Sequence, residues 1–276
     1  MSSVVPESRG DEVDHALARL RDELRNLGSV VVAFSGGSDS AFLARVARDE
    51  LGPQALAVTA VSPSLAGRER DDCAELAREW ELSWTEVETD ELDDEQYARN
   101  DADRCFRCKT ALMDVLEPMA ADRGAVAVLG VNLDDLDDHR PGQRAASERG
   151  AQFPLVDSGF TKAMVREASR RLGLRTWDKP AAACLSSRVP YGTAVTVGVL
   201  GRIERAEAAL HDLGFTTLRV RHYGDVARIE VPIADLSRII ELRQSIVDSV
   251  RRAGYRYVTL DLEGLRSGNL NDALDQ

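Results

Sequence analysis

Lysine is nearly missing from this 276-residue chain: Lys109, Lys162 and Lys179 are the only three, and arginine supplies the remaining basic charge. Acidic residues outnumber basic ones by 47 to 35, for a formal charge of −12. That balance disfavours non-specific nucleic-acid binding, because a polyanion needs a basic footprint. Cysteine is scarce as well. Four in a chain of this length are too few for a disulfide scaffold, and they point to metal or redox chemistry in a reducing compartment. No apolar run approaches the length of a membrane span, and no charged segment followed by an apolar stretch marks the N-terminus. The sequence therefore predicts a soluble, cytoplasmic protein with no membrane partner, long enough for one large domain and a small one.

The scarcity of lysine makes each survivor informative, since arginine is a poor stand-in for a compact, rotatable ammonium. Each lies beside a motif: Cys108-Lys109, Phe160-Thr161-Lys162 and Asp178-Lys179-Pro180. A site role and chance placement both remain open for all three.

The strongest positive signal is Val30-Val-Val-Ala-Phe followed by Ser35-Gly36-Gly37-Ser38-Asp39-Ser40. An apolar run of strand length ends in hydroxyls and glycines, and a helical pattern begins at once. Such a turn lets backbone N–H groups approach an anion, and the helix N-terminus adds partial positive charge. No lysine follows, so this is not the lysine-bearing loop that grips β- and γ-phosphates. The six residues resemble the pyrophosphate loop of the N-type ATP pyrophosphatases, which cut ATP between its α- and β-phosphates. The resemblance implies that Ser35, Gly36, Gly37, Asp39 and Ser40 hold pyrophosphate and that Asp39 touches magnesium.

Further along, short apolar runs alternate with helical periodicity up to Val126-Ala-Val-Leu129-Gly130. That pattern predicts an α/β fold with a parallel sheet covered by helices on both faces, and ligands at the carboxyl ends of its strands. The acidic stretch around Asp90 to Glu95 is expected to be a solvated linker. After a Pro- and Gly-bounded loop, the pattern changes to a small C-terminal α+β module. We place the boundary between residues 1–185 and 186–276.

Cys105-Phe-Arg-Cys108 puts two thiols on one face at the start of a helix, beside Arg104, Arg107 and Lys109. A redox dithiol, half of a zinc site and half of an iron–sulfur site are all open, but no second Cys-x-x-Cys exists. Cys73, among apolar neighbours on a helix, is expected to be a small buried hydrophobe. Cys184 follows small residues and precedes hydroxyls and Arg188, an exposed and electropositive setting of the kind reactive thiols occupy. Arg219 and Arg221 share one face of a strand, where they could clamp a substrate phosphate or simply form a charged outer face. Asn132, Asp134 and Asp135 follow a strand end, where they could line a nucleotide pocket or hold magnesium.

Four segments occur in order: Ser35 to Ser40, Arg104-Cys-Phe-Arg-Cys-Lys109, Gly130-Val-Asn132-Leu-Asp134-Asp135 with Arg140-Pro141-Gly142, and Lys179-Pro-Ala-Ala-Ala-Cys184-Leu-Ser-Ser-Arg188-Val-Pro-Tyr-Gly192. Together they resemble the LarE family of ATP-dependent sulfur transferases, over nearly the whole chain. The resemblance implies an adenine nucleotide alpha hydrolase-like fold. ATP and Mg2+ are its cofactors, and a small pyridinium dicarboxylate mononucleotide is its substrate. It also points to a homo-oligomer, such as a hexamer. ATP would activate a substrate carboxylate, and sulfur would then displace AMP. The residues expected to carry this are Cys184, Cys105, Cys108, Arg188 and Lys109 for catalysis. Asn132 and Asp134, with the loop, would bind nucleotide, and Arg219, Arg221 and Lys179 would bind substrate. Relatives with only the loop cysteine give up its sulfur. Because this chain also has Cys105 and Cys108, a 4Fe-4S cluster on the three thiolates is the expected source, ahead of sacrifice of Cys184. A tRNA-thiolating enzyme, an amide-forming synthetase and a non-catalytic nucleotide binder are the competing readings.

Overall fold

A computed structural model describes residues 9–136, 141–180 and 183–266. Arg140 of the third motif, and Ala181 and Ala182 before Cys184, lie outside the described residues. The chain divides into two compact units. The first comprises residues up to Val61, Arg68–Thr89 and Cys105–Ala182; the second comprises Ser62–Gly67, Asp90–Arg104 and the chain from Ala183 onward.

In chain order the first unit and its connections contain α1 (Arg9–Leu27), β1 (Val30–Ala33), α2 (Ser38–Leu51), β2 (Ala55–Val61), α3 (Gly67–Glu79) and β3 (Ser83–Glu88). They continue with α4 (Glu95–Arg99), which belongs to the second unit, and then α5 (Arg104–Asp122), β4 (Val126–Leu129), α6 (Pro141–Glu148), α7 (Pro154–Asp157) and α8 (Lys162–Arg171). Strand order is β3-β2-β1-β4, all parallel. The two-residue period of β1 decides the layers. Val30 and Val32 pack with Leu20, Phe42, Leu76 and Val165, from α1, α2, α3 and α8. Val31 faces the other way, onto Met113 and Leu116 of α5. Both faces are thus covered, as alternating strands and helices require. With β1 in the interior of the sheet, its carboxyl end points the Ser35 to Ser40 loop to where the strand order reverses.

The second unit holds α9 (Val197–Asp212), β5 (Arg219–Tyr223), β6 (Val226–Glu230), α10 (Leu236–Glu241), α11 (Arg243–Arg252) and β7 (Tyr257–Leu260). β5 and β6 form a hairpin across Gly224-Asp225, and β7 joins β6 in parallel. Val220, Ala227 and Ile229 on one sheet face pack with Leu210 of α9 and Ile246 of α11. The helical periodicity from Asp235 to Ala253 is split into two helices, because Leu242 closes the first and starts the second. A second correction concerns the acidic stretch. Asp90, Asp93 and Glu95 are exposed as expected, but Glu91 is buried at 4% exposure and accepts hydrogen bonds from Ser62 and Ser64, so this one carboxylate is held inside the second unit. Among the described residues no helix is long and apolar enough to cross a membrane.

Candidate active site

Two glycines shape the phosphate loop for different reasons. Gly36 has φ +67°, and a Cβ there would lie 2.9 Å from the Cys73 sulfur, so both backbone and space demand glycine. Gly37 caps α2 without a side chain of its own, which leaves the first-turn amides uncovered by their capping residue. Ser40 folds the loop on itself: its hydroxyl accepts from the Ser35 amide at 3.2 Å, pairs with the Ser35 hydroxyl at 3.1 Å and donates to the Gly37 carbonyl. Gly130, just past β4, is a third constraint. A Cβ there would meet the Ser40 backbone nitrogen at 2.7 Å, so only glycine lets this strand end approach the start of α2. Cys73 is buried, and burial pushes its thiol up to about 11, the inert packing residue that its neighbours imply.

Lys162, whose site role the sequence leaves open, meets the phosphate loop in the structure. Thr161 caps α8 through the Met164 amide, which starts the helix at Lys162. The ammonium then reaches Asp39 Oδ2 at 2.5 Å and Ser38 Oγ at 2.7 Å, while the Lys162 backbone amide donates to Asp134 Oδ2 at 2.8 Å. Asp39 Oδ1 is buried with no partner. A carboxylate oxygen desolvated without a donor is costly unless a ligand or cation completes it, and a hard, oxygen-seeking Mg2+ fits that vacancy in its bonding. The scarcity of lysine was the signal that could have placed Lys162 here.

Other expected ligands have partners inside the protein. Asn132 is buried, and its side chain takes the Asp134 amide while its Nδ2 donates to Asp135 Oδ2. It builds a capped turn that presents Asp134 to Lys162. Lys179, expected at the substrate, instead points its ammonium at the Gly36 carbonyl, Glu69 and Asp72, at 3.2, 2.8 and 2.6 Å. Three acceptors match the three protons of an ammonium, so Lys179 braces the loop from behind. Burial alone would lower the Lys179 pKa, but the hydrogen bonds it donates to Asp72 and Glu69 outweigh burial and raise it. Burial likewise would raise Asp72, and its bonds with Lys179 and Arg175 hold it below the usual carboxylate range.

Cys105 is exposed and Cys108 half-buried in the first turns of α5, with Lys109 next in the helix. Among the described residues no three His, Cys, Asp or Glu side chains gather as a metal would require. Two thiols at a helix start have the chemistry of half a cluster site.

In the second unit Cys184 is exposed and caps a 3₁₀ turn over Leu185–Arg188. Arg188, expected to act in catalysis, is buried and holds this turn: its Nη1 donates to the carbonyls of Ala183 and Cys184 at 2.6 and 3.2 Å. Its Nε and Nη2 form a forked pair with Glu207 at 2.9 and 3.1 Å, and Glu207 also takes the Val220 amide. Arg221 is 2% exposed, engaged by Glu230 at 3.0 Å and by the Ser187 carbonyl at 2.7 Å. Of the expected arginine clamp, Arg219 is half-buried, and its Nη1 donates to the Arg266 carbonyl at 3.3 Å. Burial, then the like charges of Arg221 and Arg188, lower its pKa.

No protein-family model matches the chain. Similar proteins exist nonetheless. An uncharacterized protein of Synechocystis sp. is 43% identical over 95% of this chain and 99% of its own length. A pyridinium-3,5-bisthiocarboxylic acid mononucleotide synthase of Lactiplantibacillus plantarum is 39% identical over 93% of this chain and 94% of its own. An uncharacterized protein of Methanocaldococcus jannaschii is 27% identical over 90% of this chain. With near full-length coverage of the synthase and a loop, turn and thiol arranged as described, this chain is an enzyme and belongs to the LarE family.

Proposed function

We propose that the chain is an ATP-dependent sulfur transferase that converts a carboxylate of pyridinium-3,5-biscarboxylic acid mononucleotide into a thiocarboxylate, a step toward a nickel-pincer nucleotide cofactor. The substrate class comes from the synthase at 39% identity, and the observation that carries the chemistry is the Lys162–Asp39 pair beside the glycine loop. Residues 1–185 would carry adenylation, and residues 186–276 would bind substrate and form a homo-oligomer. The setting is cytoplasmic, with no nucleic-acid or membrane partner.

In the first half-reaction a carboxylate oxygen attacks the α-phosphorus, the bond to the β-phosphate breaks, and pyrophosphate leaves. The loop amides and the dipole of α2 hold the departing pyrophosphate. Lys162 supplies a positive charge at the same end of α2. Mg2+, when bound through Asp39, neutralises phosphate charge. In the second half-reaction a sulfur nucleophile attacks the acyl carbon and AMP leaves. Arg219 would hold the substrate phosphate. When Cys184 is the nucleophile, its thiolate forms a thioester; loss of the Cα proton then breaks the Cβ–S bond, leaving a thiocarboxylate and a dehydroalanine.

The second sulfur source would be a 4Fe-4S cluster held by Cys105, Cys108 and Cys184, which would supply sulfide without consuming a side chain. The Cys105–Cys108 pair at a helix start supports it. No step above needs the cluster. Intact mass of anaerobically purified protein, before and after one turnover with ATP, Mg2+ and the dicarboxylate, separates them. A chain lighter by one hydrogen sulfide means Cys184 is consumed. Product at unchanged mass puts the sulfur on a cluster. ATP turnover without any sulfur-bearing product would overturn the proposal, as would a salt-dependent complex with tRNA.

A further inference from the structure

The second unit contains a buried polar chain that none of the chemistry above uses. Glu91 accepts from the hydroxyls of Ser62 and Ser64 at 2.5 and 2.6 Å. The Ser64 hydroxyl lies 3.1 Å from the Tyr97 hydroxyl, which lies 2.8 Å from that of Ser186. Glu91, Ser64, Tyr97 and Ser186 are all less than 5% exposed. Proton counting gives the chain one direction. Ser64 donates to Glu91, so it must accept from Tyr97; Tyr97 has a single proton, so it accepts from Ser186. A second set of bonds runs alongside. Ser64 takes the Leu185 amide on its carbonyl at 2.8 Å, and Arg104 donates to the Ser186 carbonyl at 2.9 Å. Asn100, held at φ +63°, donates to the carbonyls of Val189, Pro190 and Thr193.

The chain ends on Ser186, and the parallel bonds hold Leu185, Ser186 and the segment through Thr193, directly after Cys184, whose own side chain is exposed. A packed hydrophobic seat could fix such a loop, yet the chain buries a carboxylate and three hydroxyls to do so. Such a network is costly unless fully satisfied, and when satisfied it enforces one geometry. We propose that Glu91, Ser64, Tyr97 and Ser186 are positioning residues for sulfur transfer: they fix the backbone on either side of Leu185 so that the Cys184 sulfur is presented in one orientation. The inference rests on the reading that Cys184 takes part in sulfur transfer.

Tyr97→Phe removes one oxygen, keeps the ring and leaves two buried hydroxyls short of a partner. Substrate-dependent ATP–pyrophosphate exchange reports adenylation, and single-turnover thiocarboxylate formation reports transfer. Tyr97→Phe and Ser186→Ala should keep exchange within about twofold and slow transfer by about tenfold or more, the penalty expected for small misplacement of a reacting group. Both should raise amide hydrogen exchange at Leu185 and alter the alkylation rate of Cys184. Ser62→Ala, which leaves the Ser64–Tyr97–Ser186 links intact, should match wild type in transfer. Transfer unchanged in Tyr97→Phe overturns the inference, as does an equal fall in exchange and transfer, which would mark a general loss of structure. Cys184→Ala separates the two levels. Full transfer without Cys184 removes the underlying reading, whereas abolished transfer there with normal Tyr97→Phe removes only the positioning role.

Discussion

Two loops of similar length are built on opposite plans. The loop at Ser35 to Ser40 must offer backbone N–H groups to an anion, so its own side chains are minimal and its supports are charges placed around it: Lys162 on Asp39 and Lys179 on the Gly36 carbonyl. The loop at Ala183 to Arg188 must offer one side chain, so its backbone carbonyls are the groups held, by Arg188, Arg104 and Arg221 from beneath. Presenting amides takes glycine and leaves a motif. Presenting a thiol takes buried arginines and hydroxyls, residue types that occur everywhere.

The comparison predicts different failures. The largest should follow Glu207→Ala, which strands the Arg188 guanidinium at about one-tenth exposure and frees the Val220 amide. Removing one partner of a buried pair costs about 3–5 kcal/mol. Urea unfolding followed by circular dichroism should show that loss, with hydrogen exchange rising first in β5. A loss below about 1 kcal/mol would mean the Arg188–Glu207 fork is not what holds the thiol loop.

Lys162→Met attacks the other plan. The fold should survive, because the ammonium is about one-third exposed and is not part of the core. ATP–pyrophosphate exchange should fall on the order of 10²-fold, the usual cost of removing one preorganised charge at developing negative charge. Lys162→Arg should not restore it, since a planar fork cannot reproduce one compact donor between Ser38 Oγ and Asp39. Exchange at wild-type rate in Lys162→Met would reduce Lys162 to an ordinary surface pair.

The same contrast explains which parts of the molecule could be read in the sequence. β1 and its loop were legible because alternating burial and glycine placement are local properties of consecutive residues. Cys184 was legible for its neighbours' polarity. Lys162 and Lys179 were half-legible: rarity marked them, but only the fold could assign one to Asp39 and the other to the back of the loop. Arg188, Arg219 and Arg221 share one chemistry and sit on one stretch of chain. What separates them is burial beside Glu207 or Glu230, glutamates 19 and 9 residues from their partners, and no spacing rule reaches those. Glu91 was misread for the same reason: a run of acidic residues is usually solvated, and its two serine donors lie 27 and 29 residues away.

The two units should also part company as pH falls, and this is the smallest effect. His222 is buried on the face of β5 opposite Arg221, with Nδ1 3.1 Å from the Tyr255 hydroxyl. Burial, then the positive charge of Arg202, lowers its pKa, and burial raises that of the Tyr255 phenol, so a neutral ring lies beside a protonated phenol. The unfolded chain binds a proton at the ordinary histidine value of about 6.5, which the folded ring resists. Stability from this site is therefore complete above about pH 6.5. It declines as pH drops toward the depressed folded value, with a slope of at most about 1.4 kcal/mol per pH unit. In the first unit Asp72 titrates below the carboxylate range, so its contribution persists until the pH is far more acid. Trp80, Trp84 and Trp177 all belong to that first unit, so their fluorescence reports it alone. Between about pH 7 and 5, hydrogen exchange in β5 and β6 should rise while the tryptophan signal holds, and His222→Gln should abolish the rise. Equal acid sensitivity in His222→Gln and wild type would assign the effect to carboxylates and leave His222 with packing alone.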